Sequence, residues 1–204
     1  MLVKDAKAIV GGIGNPSKMP GKAYGLPAAA CKVGTALRQV KDSVCASCYA
    51  FGRGRYAMAP VLAAQYRRLD SLANPLWVEA MVTIIKGRQE WFRWHDSGDL
   101  QGSWDLANIV EVARRTPNVK QWLPTREYRM VKDYIANGGM IPANLVIRES
   151  AHMVDAPPPV TKRPTSTVVT DGSQTCPARS QDNECGTCRD CWNPNVKNVS
   201  YPKH

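Results

Sequence analysis

The stretch EWFRWHDSGDL, residues 90–100, decides the fold class that the sequence predicts. Its aromatic first half has the composition of a short strand, and its second half is a polar loop. A helical pattern, SWDLANIVEVARR, follows at 103–115, with Ser103 as the expected N-terminal cap. A second strand, VKQWLPT, is predicted at 119–125. Strand, helix and strand in this order form a parallel β–α–β unit.

The same alternation extends in both directions from this unit. The sequence predicts a helix at 127–139, a strand at 144–150 and a last strand at 166–172. Two further helices are predicted upstream, at 58–72 and 75–87. These units are too few for an eight-stranded barrel, so the predicted fold class is α/β, with either a partial β/α barrel or a small parallel sheet.

We expect one domain over residues 1–204, in three parts. Residues 1–55 are rich in Gly, Pro and Ala without a clear period, and predict a long cysteine-bearing loop. Residues 56–172 form the βα core, and 173–204 a cysteine-rich, metal-binding tail. The chain lacks an apolar run of about 20 residues and a secretory signal layout, which predicts a cytoplasmic protein with no membrane partner.

The functional side chains of a parallel sheet gather at the C-terminal ends of its strands. Three of the predicted strands end in polar or charged residues rather than in a simple turn. The residues that we expect to act in catalysis are His95, Asp99, Arg126 and Glu127. Those that we expect to bind a cofactor are Ser97, Gly98, Arg148 and Ser150.

Four of the seven cysteines are clustered in the tail, as Cys176, Cys185, Cys188 and Cys191. Two residues between cysteines let both sulfurs face one point, as in zinc and iron–sulfur sites. A reducing cytoplasm disfavours disulfides, and an odd number of cysteines cannot all pair within the chain. We therefore predict that these four bind a metal. A structural zinc site that staples the tail is the alternative.

The other three cysteines, Cys31, Cys45 and Cys48, have no obvious fourth ligand nearby in the sequence, and His95 is the candidate. Three cysteines around a four-iron cluster leave one iron open to a substrate or a cofactor. The alternative is that Cys31 is a small buried apolar residue. The sequence leaves open whether the seven thiols form one centre or two.

Six motifs occur in an order that resembles the phage-encoded gene product eighty-eight family: CASCYA, FRWHDSGDL, WLPTRE, NLVIRES, CPA and CGTCRDCW. The resemblance runs from about Pro20 to Trp192. It implies a reduced form of the radical S-adenosylmethionine barrel whose cysteines carry iron–sulfur chemistry. The sequence departs from such enzymes in two places. Thirteen residues separate Cys31 from Cys45, and HDSGD, with Asp99 as its nearest acid, stands where such enzymes have a Gly-Gly-Glu stretch.

The leading hypothesis is an enzyme with one or two 4Fe–4S clusters and a small-molecule substrate. An open iron would serve either hydrolytic Lewis-acid chemistry or reductive cleavage of S-adenosylmethionine. The net charge of +10 indicates an anionic partner, although the basic residues are scattered in pairs that are typical of solvated surfaces. The alternative hypothesis is a basic, zinc-stapled module that binds nucleic acid or a host protein.

Overall fold

One open sheet of six parallel strands organises the computed structural model, which describes residues 1–52, 54–86 and 89–203. The strands lie side by side in chain order. They are β1 (Lys22–Tyr24), β2 (Trp91–Trp94), β3 (Lys120–Thr125), β4 (Leu145–Ser150), β5 (Thr165–Val169) and β6 (Asn198–Pro202). The α-helices are α1 (Val3–Ile9), α2 (Lys32–Leu37), α3 (Ala59–Ser71), α4 (Trp77–Ile85), α5 (Ser103–Arg115) and α6 (Tyr128–Ala136).

This arrangement confirms the predicted α/β class with an open parallel sheet. The predicted strands at 119–125 and 144–150 are β3 and β4, and the helix between them is α6. The prediction of Ser103 as a cap is wrong, because Ser103 is the first residue of α5 and Gly102 precedes it without a side-chain cap. Among the described residues, no helix is long and apolar enough to span a membrane.

Both edge strands of the sheet lie outside the predicted core. Strand β1 falls within residues 1–55, where the sequence predicts a loop, so that prediction is wrong for Lys22–Tyr24. Strand β6 falls within the tail, and β5 is therefore not the last strand. Strand β1 is too short to show an alternating pattern, and β6 does not alternate between buried and exposed residues. Their backbone pairing with β2 and β5 decides their conformation.

Strands β2, β3 and β4 each contribute side chains to the apolar core that they share with the helices. In β2, Phe92 and Trp94 belong to the apolar core with α4 and α5. The intervening Arg93 lies on the opposite face, with its guanidinium 4.5 Å from the centre of the Trp122 ring of β3. We call this opposite surface, which carries Trp91, Arg93 and Trp122, the inner face.

The tail packs on the inner face. The ring of Trp192 meets those of Trp91 and Trp122 edge-on, with centroids 5.6 and 5.2 Å apart. Its indole nitrogen donates to the carbonyl of Phe92 at 2.8 Å. A fully buried indole needs such a partner for its N–H, so this bond fixes the orientation of the ring.

Arg148 of β4 holds the tail in this position. It is fully buried, and its guanidinium donates five hydrogen bonds of 2.6–3.2 Å. The acceptors are the backbone carbonyls of Thr165, Asp190, Cys191, Asn193 and Val196. A guanidinium has five N–H donors, so Arg148 has none left for a further ligand.

We expect Arg148→Met to destabilise the fold by roughly 3–5 kcal/mol, because it leaves several buried carbonyls without a donor. Urea unfolding monitored by tryptophan fluorescence measures the change. The matched control is Arg129→Met, whose side chain is 93% exposed and which should change stability by less than about 0.5 kcal/mol. A loss of less than about 1 kcal/mol in Arg148→Met would contradict the assignment of Arg148 as the anchor of the tail.

Candidate functional site

The upstream thiols, those of Cys31, Cys45 and Cys48, lie in the segment that follows β1. Cys31 directly precedes α2, and Cys45 lies in a short 3-10 turn at Val44–Ser47. A Cβ atom built on Gly34 would lie 3.7 Å from the Cys31 sulfur and 3.6 Å from the Cys45 sulfur. Both sulfurs therefore lie next to Gly34, where a Cβ would also come within 2.9 Å of the Cys31 Cβ and crowd that side chain.

The protonation of these thiols reflects their common environment. Burial raises the pKa of Cys31 well above its usual range, and the negative charge of Asp99 is the next cause. The thiols of Cys48 and Cys45 raise it further. Burial also raises the pKa of Cys45, while the Arg126 guanidinium lowers it. The three upstream thiols thus lie within electrostatic reach of one another and of the strand ends.

Backbone and carboxylate contacts fix this segment to the ends of β3 and β4. One carboxylate oxygen of Glu127 accepts hydrogen bonds from the backbone N–H groups of Lys32 and Val33, at 3.1 and 2.8 Å. The N–H of Val44 donates to the carbonyl of His152 at 2.9 Å. Glu127, predicted as catalytic, therefore holds the first turn of α2 next to Cys31, which is a positioning role.

The carboxyl of Asp99, predicted as catalytic, raises the pKa of Cys31 and of Cys45 and so lies within electrostatic reach of the upstream thiols. It accepts hydrogen bonds from the Thr125 hydroxyl at 2.6 Å and from the N–H groups of Leu100 and Arg126 at 2.8 and 2.9 Å. Burial raises its pKa to about 6, because it outweighs these hydrogen bonds, which lower it. A carboxyl group with this pKa can carry a proton near neutral pH.

Ser97 and Gly98, predicted to bind a cofactor, instead join the HDSGD loop to the segment after β1. The Ser97 hydroxyl donates to the carbonyl of Leu26 and accepts from the Gln65 amide, both at 2.7 Å. Gly98 has a φ of 76°, and a Cβ atom there would lie 2.6 Å from the Leu26 Cβ. Both residues serve the close approach of two loops.

His95, predicted as catalytic and as a candidate ligand beside the upstream thiols, directly follows β2, where its backbone N–H donates to the carbonyl of Tyr24 at 2.7 Å. Its imidazole is 4% exposed, and neither ring nitrogen has a hydrogen-bond partner among the residues that the structure describes. Burial and the charge of Arg93 lower its pKa to about 3, so the ring is neutral at neutral pH.

The downstream thiols, those of Cys176, Cys185, Cys188 and Cys191, form a second group. Burial raises the pKa of Cys176, Cys185 and Cys191, the last to about 12. The Cys188 thiol raises the pKa of Cys176 and of Cys185, and the Cys176 thiol raises that of Cys191. The Tyr201 hydroxyl lies 3.1 Å from the Cys191 sulfur.

All seven cysteines are free thiols. In the described segments, the upstream thiols shift the pKa of other upstream cysteines, and the downstream thiols shift that of other downstream cysteines. In the part of the chain that the structure describes, no three His, Cys, Asp or Glu side chains form a ready-made group for a metal ion.

Ser150, predicted to bind a cofactor, accepts a hydrogen bond from Ser166 at 2.8 Å and so links β4 to β5.

The chain matches one known protein family over a range that includes all the site residues. A sequence profile of the gene product 88 family matches residues 1–194. The chain belongs to the gene product 88 family. The matched range contains both groups of thiols and the HDSGD loop, which confirms the predicted phage family. No curated protein and no solved structure matches the chain.

Arg93 of this gene product 88 chain is a candidate that the strand-end rule does not select, because it lies within β2 and not at its end. The Arg93 guanidinium lowers the pKa of Cys185 and of Cys191, so it lies beside the downstream thiols. Its Nε atom is buried without a hydrogen-bond partner among the described residues. The alternation in β2 is the signal that could have found it, because Phe92 and Trp94 take the apolar face and leave Arg93 on the other.

We expect the buried His95 to make the fold sensitive to acid. Its folded pKa, about 3, lies below its ordinary value of 6.5, so the unfolded chain takes up the proton first and stability falls as the pH drops below 6.5. Asparagine tolerates the left-handed backbone that His95 adopts, so His95→Asn should fold. Between pH 7 and pH 5 this variant should lose about 2 kcal/mol less stability than the wild type.

Urea unfolding at the two pH values measures this difference. His152→Asn is the matched control, because its imidazole is only partly buried and stacks on Tyr128 with centroids 4.7 Å apart. Equal acid sensitivity in the wild type and in His95→Asn would contradict the assignment of His95 as a buried neutral imidazole.

Proposed function

We propose that this gene product 88 protein is an iron–sulfur enzyme of the phage-infected cytoplasm. The observation that carries the proposal is the gathering of seven free thiols into two groups, one of which adjoins the buried carboxyl of Asp99. Soft sulfur donors select iron–sulfur clusters or zinc over harder ions. A small molecule bound at the strand ends is the proposed substrate.

The raised pKa values of the thiols mean that a metal must displace their protons when it binds. Burial and neighbouring thiols raise the pKa of Cys31 and Cys185, so the metal-free protein keeps these groups protonated. A metal centre reverses this preference, since a bound cation deprotonates the thiols that ligate it. In the proposal, the thiols of each group close on the centre when it binds.

Gly34 supports the position of the upstream centre. Its Cβ would lie 2.9 Å from the Cys31 Cβ and in ordinary contact with the sulfurs of Cys31 and Cys45. The backbone itself does not require glycine here, because Gly34 is helical and its φ is not positive. The close packing of the Cys31 side chain against α2 is therefore the reason for a glycine.

The two groups favour two centres over one. Cys31, Cys45 and Cys48 would supply three ligands to the upstream centre and leave one coordination position for substrate or cofactor. The four downstream thiols would complete the ligand set of the other, which would secure the tail as well. Arg93 would offset the negative charge of that second centre, since it already lies beside Cys185 and Cys191.

Asp99 would act as the proton carrier of the upstream site. When bound, an incompletely ligated cluster would supply either Lewis-acid or electron-transfer chemistry. The Asp99 carboxyl, with a pKa of about 6, would accept or release a proton beside it. Arg126 would orient that carboxyl through its backbone N–H and keep its charged group near Cys45.

Two reactions are open to such a site. Hydrolysis needs only a polarised carbonyl or an activated water and the Asp99 carboxyl, and is the reaction that we favour. Reductive use of S-adenosylmethionine is the alternative, and formation of methionine and 5′-deoxyadenosine by the reduced, anaerobic protein would distinguish it. Zinc in place of a cluster at the downstream thiols would make that centre a staple only.

We expect protein purified without oxygen to be brown, with broad absorption near 400 nm and with iron and sulfide in equal amounts. Cys45→Ser should remove one spectroscopic signal and Cys188→Ser the other, so that each variant loses about half of the iron. Loss of one and the same signal in both variants would contradict two centres. Colourless protein without iron would contradict the proposal itself.

Gly34→Ala tests the position of the upstream centre without changing any ligand. The added methyl group should lower the upstream iron at least about twofold while α2 gains the better helix former. The downstream signal, measured in the same sample, is the internal control. Full iron at both centres in Gly34→Ala would contradict the upstream assignment.

A further inference from the structure

Large apolar side chains are unusually exposed along one short segment, residues 49–66. Of the thirteen most exposed large hydrophobic residues in the described ranges, five lie within it. They are Tyr49 (40% exposed), Phe51 (46%), Met58 (57%), Leu62 (39%) and Tyr66 (44%). Scattered exposed apolar residues are ordinary, but a concentration of five within eighteen residues of the chain indicates an interaction surface. We call these five residues the aromatic surface.

Helix geometry places part of this surface on a single face of α3. Met58, at the N-terminal cap of α3, and then Leu62 and Tyr66 follow at intervals of four residues, so their side chains lie along one side of the helix. Gln65 is the buried residue of α3, and its amide donates to the Ser97 hydroxyl at 2.7 Å. Met58, Leu62 and Tyr66 are exposed along the neighbouring side of the helix.

Hydrogen bonds fix the aromatic rings at the other end of the segment. The Tyr49 and Tyr56 hydroxyls both donate to the backbone carbonyl of Asp96, at 2.8 and 3.4 Å, and their rings meet edge-on. The Arg38 guanidinium lies 4.0 Å from the centre of the Phe51 ring. Rings held in this way lose little conformational entropy when a planar group stacks on them.

The charge of the segment decides which partner it fits. Together with the rest of α3, to Ser71, the segment contains four arginines and one acid, Asp70. Among the described ones, Arg55 and Arg67 are exposed. A membrane-binding helix would need a broader aliphatic face than Met58 and Leu62 provide. Exposed rings interleaved with arginines match the alternating bases and phosphates of an unpaired strand.

We infer that the aromatic surface binds single-stranded nucleic acid, with bases stacked on Phe51 and Tyr66 and phosphates paired with Arg55 and Arg67. Stacking accepts any base, so binding depends on strandedness rather than on sequence. The surface adjoins the HDSGD loop through Asp96, and a bound strand therefore runs past the C-terminal ends of the strands. This binding does not depend on a metal centre in either group of thiols.

The test is fluorescence anisotropy of a labelled oligothymidine of about twelve nucleotides, at several potassium chloride concentrations. The single strand should bind more tightly than a duplex of equal length. Phe51→Ser and Tyr66→Ser should each weaken binding about tenfold. Arg55→Gln and Arg67→Gln should each reduce the slope of log Kd against log salt by about 0.7.

Matched controls come from exposed residues outside the segment. Trp104→Ser removes a ring that is 51% exposed, and Arg129→Gln removes an arginine that is 93% exposed, and both should bind like the wild type. Equal affinity for the duplex, or equal losses in these controls, would overturn the inference. So would binding to phosphatidylglycerol vesicles without binding to the oligonucleotide.

Discussion

The guanidinium of Arg148 is the group on which the rest of the structure depends. It is fully buried in β4, and its five donors meet four carbonyls of the tail and one of β5. A buried charge is tolerable only while its hydrogen bonds are made, so the tail has one acceptable path. That path brings Trp192 against the inner face and Cys191 to Tyr201.

The two groups of thiols are supported in different ways, which fits different uses. Arg148 and the packing of Trp192 hold the downstream group on the inner face, between paired strands. Glu127 and the carbonyl of His152 hold the upstream group at the strand ends, where parallel sheets bind their ligands. The support of the downstream group resembles that of a structural element. The support of the upstream group leaves it at the edge of the sheet, which suits a site that admits a substrate.

Much of the fold could be predicted from the sequence because β2, β3, β4 and the helices between them have strong periodic patterns. The edge strands could not, since β1 has three residues and gains its conformation from pairing with β2. The strand-end rule selected Asp99, which the structure buries within electrostatic reach of the Cys31 thiol. It could not separate Asp99 from Arg148, because only the three-dimensional path of the tail shows that every donor of Arg148 is already used.

The order of the strands has a consequence for biosynthesis. Because they lie side by side in chain order, β1 to β5 can pair as the chain leaves the ribosome. The inner face stays uncovered until residues 190–196 emerge, since these bind Arg148 and carry Trp192. The nascent chain therefore presents Trp91, Trp122 and an unpaired guanidinium to the cytosol, and chaperones would find their binding surface there.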